Sequence, residues 1–311
     1  MRKTPRVLFW LGVACGVVAG LRAETLTVAT YNVENYGAAD RMTEAGYRKE
    51  YPKPEVQKTA LRKVIRALNA DVLVLQEVGG EEYLRELKRD LAREGVEYPH
   101  AVVMEAADEA RRVAVLSRRA FAAVERHAEL EFRYFGEQER TKRGLIEVRF
   151  EATGGDVTLF GLHLKSRYTD RADDPRSAVR REGEATAIRD EILRRFPKPA
   201  AARFLIVGDF NDDKASKALQ RMRRRGETVI AELLPAADSR GEAWTHAYKK
   251  EDNYTRVDHV LVSPGLAPAV QDGAAKIYDG DGVREASDHR PVVVTLEWNA
   301  DAALDSSLRS E

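Results

Sequence analysis

Leu205-Ile206-Val207-Gly208-Asp209-Phe210-Asn211-Asp212 decides how this chain is read. The residues from Phe204 to Val207 are all apolar, the pattern of a strand buried on both faces. Gly208 ends the run, and acids and an amide follow at once. Asp209 and Asn211 are two apart, so in extended backbone they point the same way. One can accept a proton, and the other can hold an oxygen through a neutral hydrogen bond. The competing reading is a strand that runs into an ordinary Asp/Asn turn. The rest of the chain decides between them.

The same device recurs on both sides of this stretch. Leu26 to Tyr31 alternates as a strand and ends in Asn32-Val33-Glu34-Asn35. Asp71 to Val78 is a second buried strand with Glu77 near its tip, stopped by Gly79-Gly80. Leu145–Glu151 and Val157–Leu164 flank Gly154-Gly155, the spacing of an antiparallel hairpin, and the second run carries His163 and leads to Lys165. Val257 to Val262 carries Asp258, and Ser287-Asp288-His289-Arg290-Pro291 stands before a final strand, Val292–Trp298. Shorter strands are expected at His100–Met104 and Val113–Ser117. Helices are expected from Glu55, over Glu81–Arg93 and over Ala178–Phe196; in the first, Val56, Ala60, Leu61, Val64, Ile65 and Leu68 form one apolar stripe. Residues 36–54, 168–177 and 263–283 read as loops from their Gly, Pro and polar content. Strands and helices interleave with no compositional break and no short repeat, which predicts one α/β domain over 24–298 and a polar tail over 299–311.

Residues 1–23 have the form of a signal peptide: Arg2, Lys3 and Arg6, then an apolar run from Val7 to Leu21, then small residues at Gly20 and Ala23. That run is shorter than the roughly 20 residues of a spanning helix, so no stable membrane insertion is expected after cleavage. The protein is therefore expected outside the cytoplasm, secreted or periplasmic. An uncleaved membrane anchor is one alternative, and a lipoprotein anchor on Cys15, with Gly12 where a larger aliphatic is usual, is another. Cys15 is the only cysteine, so the mature chain has neither a disulfide nor thiol chemistry. Basic and acidic residues balance at 51 each among 311 residues. Loss of the four basic residues of the signal makes the mature chain mildly acidic, so a polyanion would have to be met by local basic patches.

The strand-end set is Asn32, Glu34, Glu77, His163, Asp209, Asn211, Asp258, Asp288 and His289. It is rich in oxygen donors and has no thiol, which suits Mg²⁺, or Mn²⁺ or Ca²⁺, rather than zinc. Six segments, Thr30-Tyr31-Asn32-Val33-Glu34-Asn35, Leu75-Gln76-Glu77-Val78, Gly161-Leu162-His163-Leu164-Lys165-Ser166, Val207-Gly208-Asp209-Phe210-Asn211, Val257-Asp258-His259-Val260 and Ser287-Asp288-His289-Arg290-Pro291, occur in one order over about residues 25–298. In that order they resemble the endonuclease/exonuclease/phosphatase superfamily. The resemblance implies a four-layer αββα sandwich of two mixed, mainly antiparallel sheets flanked by helices, with the site where strand ends meet.

Residue by residue, the resemblance makes Glu77 the principal metal ligand, with Asp288 near the metal. Glu34 stands where the family often has Asp and, with its longer side chain, would serve a second metal position. Asn32 would contact the metal site or the scissile phosphate, His163 would donate to a non-bridging oxygen with Lys165 adding charge beside it, and Asn211 would orient phosphate or water; Arg143 is, from its charge, a candidate phosphate contact outside the reacting group. His289 would be a base or phosphate contact oriented by Asp258, and Asp209 would move a proton; which of Asp209 and His289 activates water stays open. Adjacent residues of a strand face opposite ways, so Asp258 should pair across segments with His289 and not with His259. A separation above about 4 Å would refute that pairing. His100, His127, His246 and His259 are read as structural, and Arg221–Arg225 as a solvated face.

Such a site suits phosphodiester hydrolysis, which needs an activated water, neutralised non-bridging oxygens and a stabilised leaving group. Export argues against intracellular repair or inositide signalling, and no exposed aromatic hairpin of the kind that lipid hydrolysis favours is expected. The likeness to bacterial extracellular nucleases, with Arg111, Arg112, Arg140, Lys142 and Arg167 as further cations, makes DNA the expected substrate and RNA a second, acted on by a monomer. A lipid or small-molecule phosphodiesterase is the alternative, and a non-catalytic binding module the third reading.

Overall fold

A computed structural model describes residues 24–43, 45–169, 171–248 and 250–298. The expected signal, Cys15 and the polar tail lie outside them. From the N-terminal end, β1 (Glu24–Tyr36) leads into a hairpin, β2 (Ala39–Thr43) and β3 (Gly46–Tyr51), then α1 (Glu55–Leu68), β4 (Val72–Val78) and α2 (Glu81–Arg93). β5 (His100–Val103), β6 (Arg112–Ser117) and β7 (Ala123–His127) precede a second hairpin, β8 (Glu131–Tyr134) and β9 (Glu137–Arg140). β10 (Leu145–Phe150) and β11 (Val157–His163) follow, then α3 (Ala178–Arg195), β12 (Phe204–Asp209) and α4 (Lys217–Arg223). A further hairpin, β13 (His246–Tyr248) and β14 (Asn253–Thr255), comes before β15 (Asp258–Val262), β16 (Ala275–Ile277) and β17 (Val292–Trp298).

Two large sheets result. One runs β16-β17-β1-β4-β6-β5, with Ala236–Ala237 beyond β16. The other runs β15-β12-β11-β10-β7, with Glu232–Leu233 beyond β15. β1 and β4 are parallel, as are β11 and β12, while the neighbouring pairs around them are antiparallel.

The alternation along β12 shows why the layers form. Leu205 and Val207 face the core between the sheets, against Val74, Ile146 and Val260. Phe204 and Ile206 face the other way, onto Ile188 and Ile192 of α3 and Leu219 of α4. On the far side, Leu61, Val64 and Ile65 of α1 and Leu84 and Leu87 of α2 cover Leu73 and Leu75 of β4. Each such side chain, removed from water, contributes about 1.5–3 kcal/mol. A strand apolar on both faces is stable only with layers on both, and this gives the four-layer sandwich.

Three sequence expectations are corrected. Residues 36–54 are not a loop but contain the β2–β3 hairpin, whose side chains are largely exposed and so leave no apolar alternation in the sequence. The span 263–283 contains β16, an edge strand of three residues. The expectation of no exposed aromatic hairpin also fails: Met42 and Tyr47 on β2–β3 are 78% and 55% exposed, and Tyr248 and Tyr254 project from β13–β14.

Candidate active site

Strand register assembles half of the site. His163 at the end of β11 lies beside Asp209 at the end of β12, and Asp209 beside Asp258 at the start of β15. The other sheet supplies Asn32 from β1, Glu77 from β4 and the segment 287–291 just before β17. Gly208 allows the close packing here. Its φ is +150°, and a Cβ would fall 2.1 Å from the Leu162 carbonyl oxygen.

Asp209 is buried at the centre. Its Oδ2 accepts from Asn32 Nδ2 at 3.0 Å and lies 3.4 Å from His163 Nε2 and 3.9 Å from His289 Nε2. Its Oδ1 accepts the Asn211 amide N–H at 2.8 Å. Burial, followed by the charge of Asp258, raises its pKa to about 6. His163 is driven the other way: burial, then the positive field of Arg143, holds it well below its ordinary value, so it is neutral.

The expected cross-segment pair is present, with His289 Nδ1 2.8 Å from Asp258 Oδ2. Asp258 accepts no hydrogen bond from His259, which faces the opposite side of β15 and contacts the Asp212 carbonyl at 2.9 Å. Burial disfavours charge on His289, but Asp258, reinforced by Asp209 and Asp288, outweighs it and lifts the pKa well above the usual value. Ser287 fixes the segment: its Oγ donates to the Asn32 carbonyl at 2.8 Å and accepts the His289 amide at 3.0 Å.

The predicted metal residues face one cleft of about 790 Å³, which Glu34, Glu77 and Asp288 line together with Asp209, Asn211 and His289. Glu77 takes a left-handed backbone, φ +66°, and its Oε2 accepts the Asn35 amide at 2.9 Å. Glu34 and Asn35 are also left-handed, at φ +48° and +52°. This irregularity in β1 breaks its register against β4 between Asn32 and Tyr36. The three carboxylates do not gather into one tight group; the closest clusters among the described residues at this site are His246–Asp288–His289 and Asp209–Asp258–His289. An all-carboxylate set opening on a cleft, with room for water and substrate oxygens, fits a hard divalent cation.

Several expectations shift. Asn32 and Asn211 both donate to Asp209 (Asn211 Nδ2 at 3.3 Å, with Leu164 O at 3.0 Å), so they orient that carboxylate. Arg143 is buried and held by Asp108 at 3.0 Å and the Leu164 carbonyl at 2.8 Å, and Lys165 donates to Ser166 and Tyr168 carbonyls. Both line a neighbouring pocket and not the reacting centre. Arg140 pairs with Glu129 and Glu131 on the β8–β9 side, away from these two cavities. His246, read as structural, lines the cleft: its ring centroid is 4.5 Å from that of His289 and its Nε2 3.6 Å from Asp288. Burial works against ionisation of Asp288, but His246 and the charge of His289 bring its pKa to about 2. His127 is structural, between Glu147 at 2.9 Å and Glu191 at 3.3 Å.

Two groups missed in the sequence support the metal face. Lys53, whose side chain is fully buried, donates to the Glu34 carbonyl at 3.1 Å and lies 3.7 Å from its carboxylate; burial, opposed by Glu34, leaves its pKa at about 8. Arg41 donates to the carbonyls of Asn35 and Gly37. The only sequence signal for either is a cation soon after the β1 tip.

A family model described as the endonuclease/exonuclease/phosphatase family matches residues 29–289. No curated protein matches the chain. Among solved structures, a beta toxin mutant from Staphylococcus aureus with bound magnesium ions is similar at 15% identity and TM-score 0.61, covering 87% of this chain and 99% of that one. An endonuclease/exonuclease/phosphatase family protein from Leptotrichia buccalis shares 17% identity, with TM-score 0.60 over 88% and 100% of the two chains. Sphingomyelinase C from Streptomyces griseocarneus shares 18%, with TM-score 0.57 over 88% and 99%. At these identities the structures show a common fold.

Proposed function

The chain belongs to the endonuclease/exonuclease/phosphatase family of metal-dependent phosphoric-ester hydrolases, and from that premise we propose that it is an exported nuclease, active as a monomer on DNA and also on RNA. The observation that carries this reading is the shape and charge of the cleft. The site does not end at the reacting groups: Glu77, Ser166 and Tyr168 line both the main cleft and an adjoining pocket of about 550 Å³. Arg167 and Arg176 line the former, while Arg111 and Lys142 line the latter. Cations in the cleft and in the pocket that adjoins it suit a chain of phosphates better than a single one.

The residues divide the chemistry as follows. Asp209, a buried carboxylate made more basic than usual, takes a proton from the attacking water. Asn32 and Asn211 hold it in place. His289, anchored by Asp258, presents its Nε2 side to the cleft and stabilises charge on the phosphoryl oxygens. Neutral His163 is buried beside Asp209, its Nε2 3.4 Å from Oδ2, and helps to position that carboxylate. A divalent cation held by Glu77, Glu34 and Asp288 would supply Lewis-acid charge for the phosphoryl and leaving oxygens.

One observation favours a second reading, lipid phosphodiester hydrolysis. Met42 and Tyr47 stand exposed on the hairpin that leaves the cleft at Asn35, and one of the structural neighbours is a sphingomyelinase. The two separate by offering plasmid DNA, RNA and a choline phospholipid to the mature protein with Mg²⁺, Mn²⁺, Ca²⁺ or EDTA. Metal-dependent cleavage of nucleic acid, lost in His289→Ala, is the expected result; turnover of the lipid alone would replace the nuclease reading with the second.

A further inference from the structure

We propose that the pocket beside Glu77 is a second anion subsite, built to hold a phosphate next to the scissile one, with Lys142 and Lys165 as its receiving cations. The inference rests on the nuclease reading and deepens it, because it makes the enzyme recognise a strand and not an isolated diester.

Arg111, Lys142, Arg143, Lys165, Arg171 and Arg180 line the pocket, against two acids, Glu77 and Asp108. Four of these cations are already matched. Arg143 and Arg111 share Asp108, at 3.0 and 3.7 Å. Arg171 grips Asp173 with two nitrogens, and Arg180 pairs with Glu139 at 3.0 Å. The other two are not. Lys142 is exposed and makes no ion pair among the described residues, and Lys165 is half-buried: its ammonium bonds the carbonyls of Ser166 and Tyr168 and the Ser166 hydroxyl, while its backbone N–H donates to Glu184 Oε2 at 2.8 Å. Burial and then the repulsion of Arg143 and Lys142 depress the Lys165 pKa to about 8. Among the described residues only the buried Glu184 offsets this repulsion at Lys165, and a bound anion relieves it further.

Position supplies the second part. Lys165 is two residues beyond His163, and the pocket shares Glu77, Ser166 and Tyr168 with the reacting cleft. An anion here and a phosphoryl group at Asp209 can therefore belong to one ligand. Tyr168, 83% exposed at the shared rim, offers a flat face on which a base can stack. An arrangement of phosphates and planar bases at neighbouring positions is a single nucleic-acid strand. A headgroup with one phosphodiester occupies the reacting centre and leaves Lys142 without a partner.

The test combines binding and kinetics on the mature chain. Fluorescence anisotropy of a labelled single-stranded oligonucleotide in EDTA measures binding without cleavage. Lys142→Ala and Lys142→Glu are suitable variants because the side chain is exposed and holds nothing in place. The slope of log affinity against log salt should become shallower by about 0.7 in Lys142→Ala, the loss of one phosphate contact on a single strand, and Lys142→Arg should restore it. In kinetics, KM for the oligonucleotide should rise about tenfold with kcat nearly constant, a loss of ground-state and transition-state binding alike. The kcat/KM for bis-p-nitrophenyl phosphate, which has a single phosphate, should stay the same. An unchanged salt slope in Lys142→Glu overturns the subsite even if DNA is cleaved. A changed slope with no cleavage of any nucleic acid overturns the nuclease reading and supports the subsite.

Discussion

Asp258 and His259 are consecutive, equally buried, and belong to two different chemistries. Asp258 faces the gap between the sheets, where Asp209 and His289 meet it. His259 faces the outer layer, edge-on to Phe210 with ring centroids 5.4 Å apart, and its Nδ1 has no hydrogen-bond partner among the described residues. Burial alone would push every histidine toward neutrality. His259 follows that rule, its pKa drawn to about 4 by burial and then by Arg256. His289 breaks it, because three carboxylates surround it. The pleat of one strand thus separates a reactive layer from a structural one, and the neighbours, not the depth, set the charge.

The largest effect that tests this contrast is on turnover. His289→Ala should lower kcat for a small phosphodiester by about 10³-fold, within the usual range for a positioned proton-transfer or charge-stabilising group, and also leaves Asp258 a buried carboxylate without its partner. His259→Gln should keep most of the activity and lose stability. Equal losses of activity in the two variants would show that the layers are not functionally separate.

The next effect is on acid stability. His259 has a folded pKa of about 4 against 6.5 for the free side chain. Above about pH 6.5 it is neutral in both states and costs nothing. As pH falls from there toward 4, the unfolded chain takes a proton that the folded chain resists, so stability is lost. The limit of that loss is about 3 kcal/mol, taking 1.36 kcal/mol per pKa unit. Urea unfolding of wild type and His259→Gln between these pH values should show a slope that the variant lacks; parallel curves would mean that His259 is solvated in the fold.

The sequence carried much of this. A polar residue at the end of an apolar run interrupts a pattern, and Asp209, Glu77, His163 and His289 are legible for that reason. The Asp258–His289 pair was legible too, since alternation on a strand excludes the adjacent partner. His246 was not: it sits on a three-residue strand with no apolar pattern, and an isolated bridge to His289 alone brings it to the cleft. Arg41 was hidden because its partners are backbone carbonyls, which leave no mark on residue type, and Lys53 because the β2–β3 hairpin separates it from Glu34 in sequence. The β2–β3 hairpin was missed because its exposed side chains leave no alternation, and the β8–β9 hairpin because its only buried face is Phe132 and Tyr134 on a four-residue strand, too short a pattern to stand out.

Asp258→Asn tests the reactive side of the contrast more gently. Removing an orienting partner behind a functional imidazole typically costs about 10–100-fold. The amide keeps the shape of the contact with His289 Nδ1 but not the charge that holds its proton. A loss within that range, smaller than for His289→Ala, is expected from kcat on the small diester; no loss would mean that Asp209 and Asp288 suffice to charge His289.

The smallest effect is the most specific. If Asp209 accepts the proton from water, it must be ionised, and its pKa of about 6 sets the limit. Activity should then be level above about pH 7 and fall tenfold per pH unit well below 6, as the fraction of carboxylate falls. Asp258 stands next to it in the sheet and is the chief charge that raises that pKa, after burial. Asp258→Asn should therefore do two things at once, lowering the plateau and moving the acid limb to lower pH. A plateau that falls while the limb stays in place would place the titrating base elsewhere, and would confine Asp258 to holding His289.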